Sequence, residues 1–194
     1  MSPFGDVVDR LRSDIRDLPQ PGQVVLFLAA AQVFAGSRRE WLAAKGVASD
    51  DAVFEQALES ARDLAHGRAA TPSAAFLVEL EEAAFGEMRD GAPTIVQDCW
   101  ICLDTAVRGP VEGYDMSSST WYLLEPLFQS VSARLFGVAD LGSENVVAER
   151  AALDDPVLAG GVAAVRSCVE RLPTVSVDGA LFARIVEDLI AIRP

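Results

Sequence analysis

The polar residues best spaced for chemistry fall between positions 97 and 122. Gln97, Asp98, Asp104, Thr105 and Arg108 gather toward one side of a helix turning by about 100° per residue, and Asp104 and Arg108, four apart, form an ion pair. Behind them runs Tyr114-Asp-Met-Ser-Ser-Ser-Thr-Trp-Tyr122, hydroxyl groups set between aromatic rings. Rings and adaptable hydroxyls suit the recognition of a ligand or a partner. One candidate pocket is therefore lined by Asp98, Asp104, Arg108, Trp121 and Tyr122, between helices over 98–108 and 117–136. The loop also has a plainer use, because Asp115 or Ser117 can cap the helix that follows.

Carboxylates supply the second candidate. Asp51, Glu55 and Glu59 recur every four residues, and Glu79, Glu81, Glu82 and Glu87 follow on the next helical stretch. Like charges at that spacing cost about 0.2–0.5 kcal/mol each, partly relieved by Arg62 beside Glu59 and Asp63. Such rows are either a solvated face or a docking surface for a basic protein. Asp51, Glu55, Glu59, Glu79 and Glu82 define that candidate partner-binding face.

Other reactive residue types are poorly placed. Cys99-Trp-Ile-Cys102 has the C-x-x-C spacing, but redox chemistry needs a thiolate of low pKa at a helix start after a strand. This pair lies inside an apolar helical stretch and reads as two small core residues. A zinc site needs two further ligands, and Cys168 and His66 stand at no ligand spacing to the pair. His66 is the only histidine and sits in the last turn before Gly67, where a positive charge favours the helix dipole. It also rules out the paired Glu-x-x-His motifs of a di-metal carboxylate site. No G-x-S-x-G elbow is present, and Lys45 is the only lysine available for Schiff-base or P-loop chemistry. These residues predict no catalytic centre, no cofactor and no metal.

The elements that must position both candidates are helices. Phe4, Val7, Val8, Leu11, Ile15 and Leu18 keep i, i+3, i+4, i+7 spacing behind a Ser2-Pro3 start, and Pro19 and Pro21 stop that segment. A second helix covers about Gly22 to Ala44, with Val24, Phe27, Leu28, Ala31 and Phe34 on one face and a kink expected at Gly36-Ser37. A third covers Asp50 to His66, capped by Ser49 or Asp50. A fourth starts at Thr71-Pro72 and buries Phe76, Leu77, Leu80, Ala84 and Met88. The fifth runs from Pro93 to Arg108 and stops at Gly109-Pro110. Pro126 must kink or begin the sixth, and three more follow over 143–153, 156–172 and 178–192. The only strand-like stretch is Thr174 to Val177. The fold class is all-α: one single-domain bundle of eight or nine helices over residues 1–194, without internal repeats.

Composition narrows the partners. The 194 residues suffice for one hydrophobic core, and 51% are hydrophobic. The formal net charge is -13, from 29 acidic and 16 basic residues. That sign disfavours nucleic acid and anionic membranes and attracts basic partners. The longest apolar run, Val24 to Ala35, is too short to cross a bilayer, and the acidic first helix is unlike a signal peptide. An odd count of three cysteines favours reduced thiols, so the expected location is the cytoplasm.

The segments LRSDIRDLPQPGQVVLFLAAAQVFA and IVQDCWICLDTAV, with Asp98 and Cys99 at the matching positions of the second, resemble a bacterial all-helical family of uncharacterised proteins. Related helical proteins occur among the immunity proteins of polymorphic-toxin systems. The resemblance implies an all-helical fold and a non-enzymatic protein that masks a basic partner. The residues leave two other readings open. A small-molecule binder or enzyme would use the Asp98–Trp121 pocket, and a homodimer would expose an apolar helix face.

Overall fold

The computed structural model describes residues 2–46, 51–68, 71–139, 141, 145–172 and 178–194. Among them are nine α-helices and no strand, as the repeated helical period predicts. They are α1 (Pro3–Arg16), α2 (Gln20–Lys45), α3 (Asp51–Ala65), α4 (Ala74–Arg89), α5 (Thr94–Glu112), α6 (Glu125–Phe136), α7 (Val146–Leu153), α8 (Pro156–Arg171) and α9 (Gly179–Leu189). Short 3-10 helices occupy Met116–Leu123 and Ile190–Ile192. No helix among the described residues is long and apolar enough to cross a membrane.

The axis of the bundle is α2. Every residue from Val24 to Ala31 is buried, as expected of a helix with no polar face over that run. It packs along α5 and also meets α3, α8 and α9. Small side chains let the two central helices approach closely: Ala31 faces Cys99, whose Sγ donates to the Ala31 carbonyl at 3.3 Å. Cys99, Cys102 and Cys168 are all buried and free. Burial pushes the Cys99 thiol up to about 12 and the Cys102 thiol well above its ordinary value, so neither is a nucleophile at neutral pH.

Local chemistry sets the helix starts. Ser2, Ser73, Asp115, Asn145, Asp155 and Asp178 each accept a backbone N–H of the helix they precede. Each such cap stabilises its helix by about 1 kcal/mol. The cap of α4 is thus Ser73, bonded to the Phe76 N–H at 3.1 Å, and not Thr71. Asp115 caps the 3-10 helix, and Pro126 opens α6 in its first turn.

One expected stop is absent. Helix α5 runs through Gly109-Pro110 and ends at Gly113, whose φ is 73°. A proline this near the end removes one bond of the ladder, which a last turn tolerates. Gly109 is needed for packing, because a Cβ there would lie 2.2 Å from Met116 Cγ. Helix α2 continues through Gly36-Ser37, and the Arg193 guanidinium lies over Gly36. The expected Ser49 or Asp50 cap and the Thr174–Val177 strand lie outside the described residues.

Candidate functional site: the α4–α5 groove and its two arginine clamps

Helix α4 lies at the edge of the bundle, and few of its residues are buried. Phe76, Leu77 and Leu80 enter the core, whereas Ala84 and Met88, which continue the same stripe, stay partly exposed. Val78 and Phe85 point away from the core, 54% and 52% exposed. The second half of α4 is held by partly buried Ala83, Ala84 and Met88 against the core and by polar bonds.

The first clamp is Arg38, which extends the Phe27, Ala31, Phe34 stripe of α2 by one more step of four. Its side chain is 2% exposed. Arg38 Nε donates to both carboxylate oxygens of Glu87 at 3.0 and 3.1 Å, and a terminal nitrogen donates to Glu87 Oε1 at 2.5 Å. The other terminal nitrogen donates to Asp51 Oδ1 at 2.8 Å. Trp100 Nε1 donates to Glu87 Oε2 at 2.7 Å. The guanidinium carbon also sits 4.3 Å from the Phe54 ring centre and 5.0 Å from that of Trp100. Burial pulls the Arg38 pKa down, but the bonds and charges of Glu87 and Asp51 more than offset that and leave it raised. Four helices, α2 to α5, therefore meet at one saturated ion cluster. Such a cluster adds little over well-packed apolar residues, yet removing one partner strands a buried charge.

The second clamp is Arg108 of α5. It donates to Asp104 at 2.9 Å, to Glu81 of α4 at 3.0 Å, to Glu112 at 3.4 Å and to the Leu77 carbonyl at 2.6 Å. Three carboxylates thus surround one guanidinium, and the rim they form is negative. Burial raises the Asp104 pKa, with Arg108 opposing.

Between the clamps α4 and α5 diverge into a groove of about 340 Å³. Its floor is Ala84, Phe85, Met88, Trp100 and Ile101, and its polar edge is Glu81, Asp104 and Arg108. An apolar floor with a few converging polar groups is the usual form of a recognition site. Among the described residues no three His, Cys, Asp or Glu side chains gather as around a metal ion.

The side chains singled out in the sequence divide among several places. Asp104 and Arg108 line this groove. Asp98 lies about 120° around α5 from Asp104. It is 1% exposed, and its Oδ2 has no hydrogen-bond partner among the described residues. Burial, reinforced by the charge of Glu125, pushes its pKa up to about 8. Trp121 packs edge-on against Phe4 with ring centres 4.8 Å apart, and Tyr122 is half-buried against the core. The five residues therefore do not surround one pocket between α5 and the 117–136 region. Ser117, Ser119 and Thr120 of the loop are buried, while Ser118 is exposed: Thr105 bonds Ser119, Ser117 bonds Asp115, and Thr120 bonds the Ser117 carbonyl.

Of the acidic face, Glu55, Glu59, Glu79 and Glu82 are exposed. Asp51 is paired with Arg38. Glu55 and Glu59 share a shallow depression on α3 with Arg62, His66 and Arg68, which dilutes the negative charge there. Glu79 and Glu82 stand on α4 with Val78 and Phe85. Sequence reasoning missed Arg38 and Phe85, and left Glu87, named in the acidic row, out of the candidate face. The first was legible as a charge at a core step of α2. The other two depended on how α4 is turned. Comparisons with known protein families, curated proteins and solved structures gave no match.

Proposed function

We propose that this protein is a non-enzymatic interaction module, immunity-like in role, that masks a basic protein with the α4 edge of its bundle. One observation carries the reading: α4 presents exposed Val78 and Phe85 directly among exposed Glu79, Glu81 and Glu82. Apolar anchors supply affinity in an interface, and the surrounding charges supply orientation and association rate. The net charge of -13 gives the rest of the surface the same sign. The acidic stretch of α3 contributes at longer range, weakened by its own arginines.

The partner is identified by placing a photo-crosslinking residue at Val78 in the cells that make the protein. Association of the purified pair is then timed between about 50 and 500 mM salt, where screening shortens from roughly 14 to 4 Å. We expect a basic partner whose association slows several-fold over that range. We also expect Glu79→Gln with Glu82→Gln to slow association more than it speeds dissociation. An acidic partner, or an association rate flat in salt, removes the reading.

A further inference from the structure

The groove between α4 and α5 is more specific than a charged face, and its dimensions narrow the occupant. We propose that it receives one amphipathic, positively charged helix of the partner protein, with apolar side chains on the groove floor and lysine or arginine side chains on its acidic rim. The inference rests on the interaction-module reading above and deepens it.

Two rows of side chains line the groove, Glu81 to Met88 on α4 and Trp100 to Arg108 on α5. At about 1.5 Å per residue each row runs roughly 11–12 Å, two helical turns. A third helix laid along it would present residues i, i+3 or i+4, and i+7 over the same length. Small Ala84 leaves room midway along the floor, with Phe85 and Met88 beside it from α4 and Trp100 and Ile101 from α5. Both clamps hold α4 in place beside the groove. Arg38 ties Glu87 to α2 and α3, and Arg108 ties Glu81 and the Leu77 carbonyl to α5, so α4 does not depend on closing the groove to stay in place.

Charge selects among occupants. Glu81, Asp104 and Glu112 outnumber Arg108, and Glu82 stands exposed on the same helix. A second copy of this chain would bring the same carboxylates against themselves. An anionic lipid surface would meet the same repulsion. A basic helix is attracted at the rim and buried at the floor.

The test uses the full-length protein and a synthetic 18-residue fluorescent helix with leucine at i, i+3, i+4 and i+7 and lysine elsewhere. A scrambled peptide of the same composition and a version with glutamate for lysine serve as controls, and binding is read by anisotropy. The periodic lysine peptide is expected to bind about tenfold more tightly than the scrambled one. Phe85→Ser, at an exposed position and with its fold checked by circular dichroism, is expected to lower its affinity about five- to tenfold. Glu55→Gln with Glu59→Gln on α3 should change it less than about twofold. Equal binding of periodic and scrambled peptides, still lost in Glu79→Gln with Glu82→Gln, overturns the helix-in-groove proposal and leaves the basic-partner reading standing. Failure of both lysine peptides to bind at low salt, or equal binding of the glutamate peptide, overturns both. A dimer in sedimentation that dissociates in Phe85→Ser assigns the groove to self-association and overturns the proposal.

Discussion

Two glutamates, Glu149 buried and Glu87 partly buried, hold two opposite kinds of edge. Glu149 of α7 accepts from the Ser2 hydroxyl and, at 3.0 Å, from the Phe4 N–H, so α7 caps the start of α1. Around it the packing is closed: Phe4 stacks on Phe128 with ring centres 4.0 Å apart and meets the edge of Trp121. Glu87 of α4 accepts from Arg38 and Trp100 with comparable geometry, yet two residues before it Phe85 stands in solvent. At the first edge polar bonds and apolar burial act together. At the second the polar bonds act beside apolar contacts that are only partly buried. An aromatic side chain left outside costs about 1.5–3 kcal/mol of burial that a closed edge would have gained. That difference is the one on which the docking proposal for α4 rests.

Breaking each anchor should separate the two edges. The largest effect is expected for Arg38→Ala, which leaves the partly buried Glu87 without its cation, removes the buried guanidinium from between Phe54 and Trp100, and should destabilise the fold by about 3 kcal/mol. Hydrogen exchange should show α4 losing protection first, because the apolar contacts of its second half are only partly buried. Restoring an apolar pair with Arg38→Met and Glu87→Leu should recover most of the loss in a urea titration. If Arg38→Ala lowers the urea midpoint no more than a surface change does, the clamp is not what holds α4.

Glu149→Ala is expected to cost about 1–3 kcal/mol, as the Phe4 N–H and the Ser2 hydroxyl lose their acceptor. Here protection should fall in α1 and α7 together, since the aromatic cluster still joins the α1 region to α6. A loss confined to α1 would show that the two edges are built alike after all.

Asp98 sharpens the comparison from between the two edges, facing Glu125 of α6 and lying near Cys99 and Cys102. Its pKa is pushed up to about 8, whereas an unfolded aspartate releases its proton near 4. Between those values the folded chain binds more protons than the unfolded one, so stability falls as pH rises, by at most about 1.4 kcal/mol per pH unit. Asp98→Asn should flatten that slope between about pH 5 and 8 in denaturation series. An unchanged slope would show that Asp98 is ionised in the fold.

The smallest expected effect is that of Phe85→Ser on stability, within about 0.5 kcal/mol, because the ring is already half in water. Phe4→Ser at the closed edge should by contrast cost several kcal/mol, about 3–5 by the usual scale for a buried ring. Similar losses for the two would remove the distinction on which the docking surface rests.

Taken alone, the sequence determined the helices. Periods of 3.6 with serine, aspartate or proline at their starts placed nine segments, because helix boundaries are set by local backbone chemistry. The burial of Cys99 and Cys102 was equally legible, since an apolar stripe on an inner helix admits only small or apolar groups. Which charges stay outside was decided by tertiary packing. Periodicity fixes the angle of a side chain about its own helix axis and says nothing of what covers that angle. Asp51 and Glu87 look like their exposed neighbours until Arg38 arrives from α2 to meet them. Ala84 and Met88 look like core until α5 diverges from them. Asp98 and Asp104, six residues apart on one helix, separate because α6 covers one side and α4 the other. The groove belongs to no segment of the chain, and exists only where Arg108 ties α4 to α5 and Arg38 ties α4 to α2.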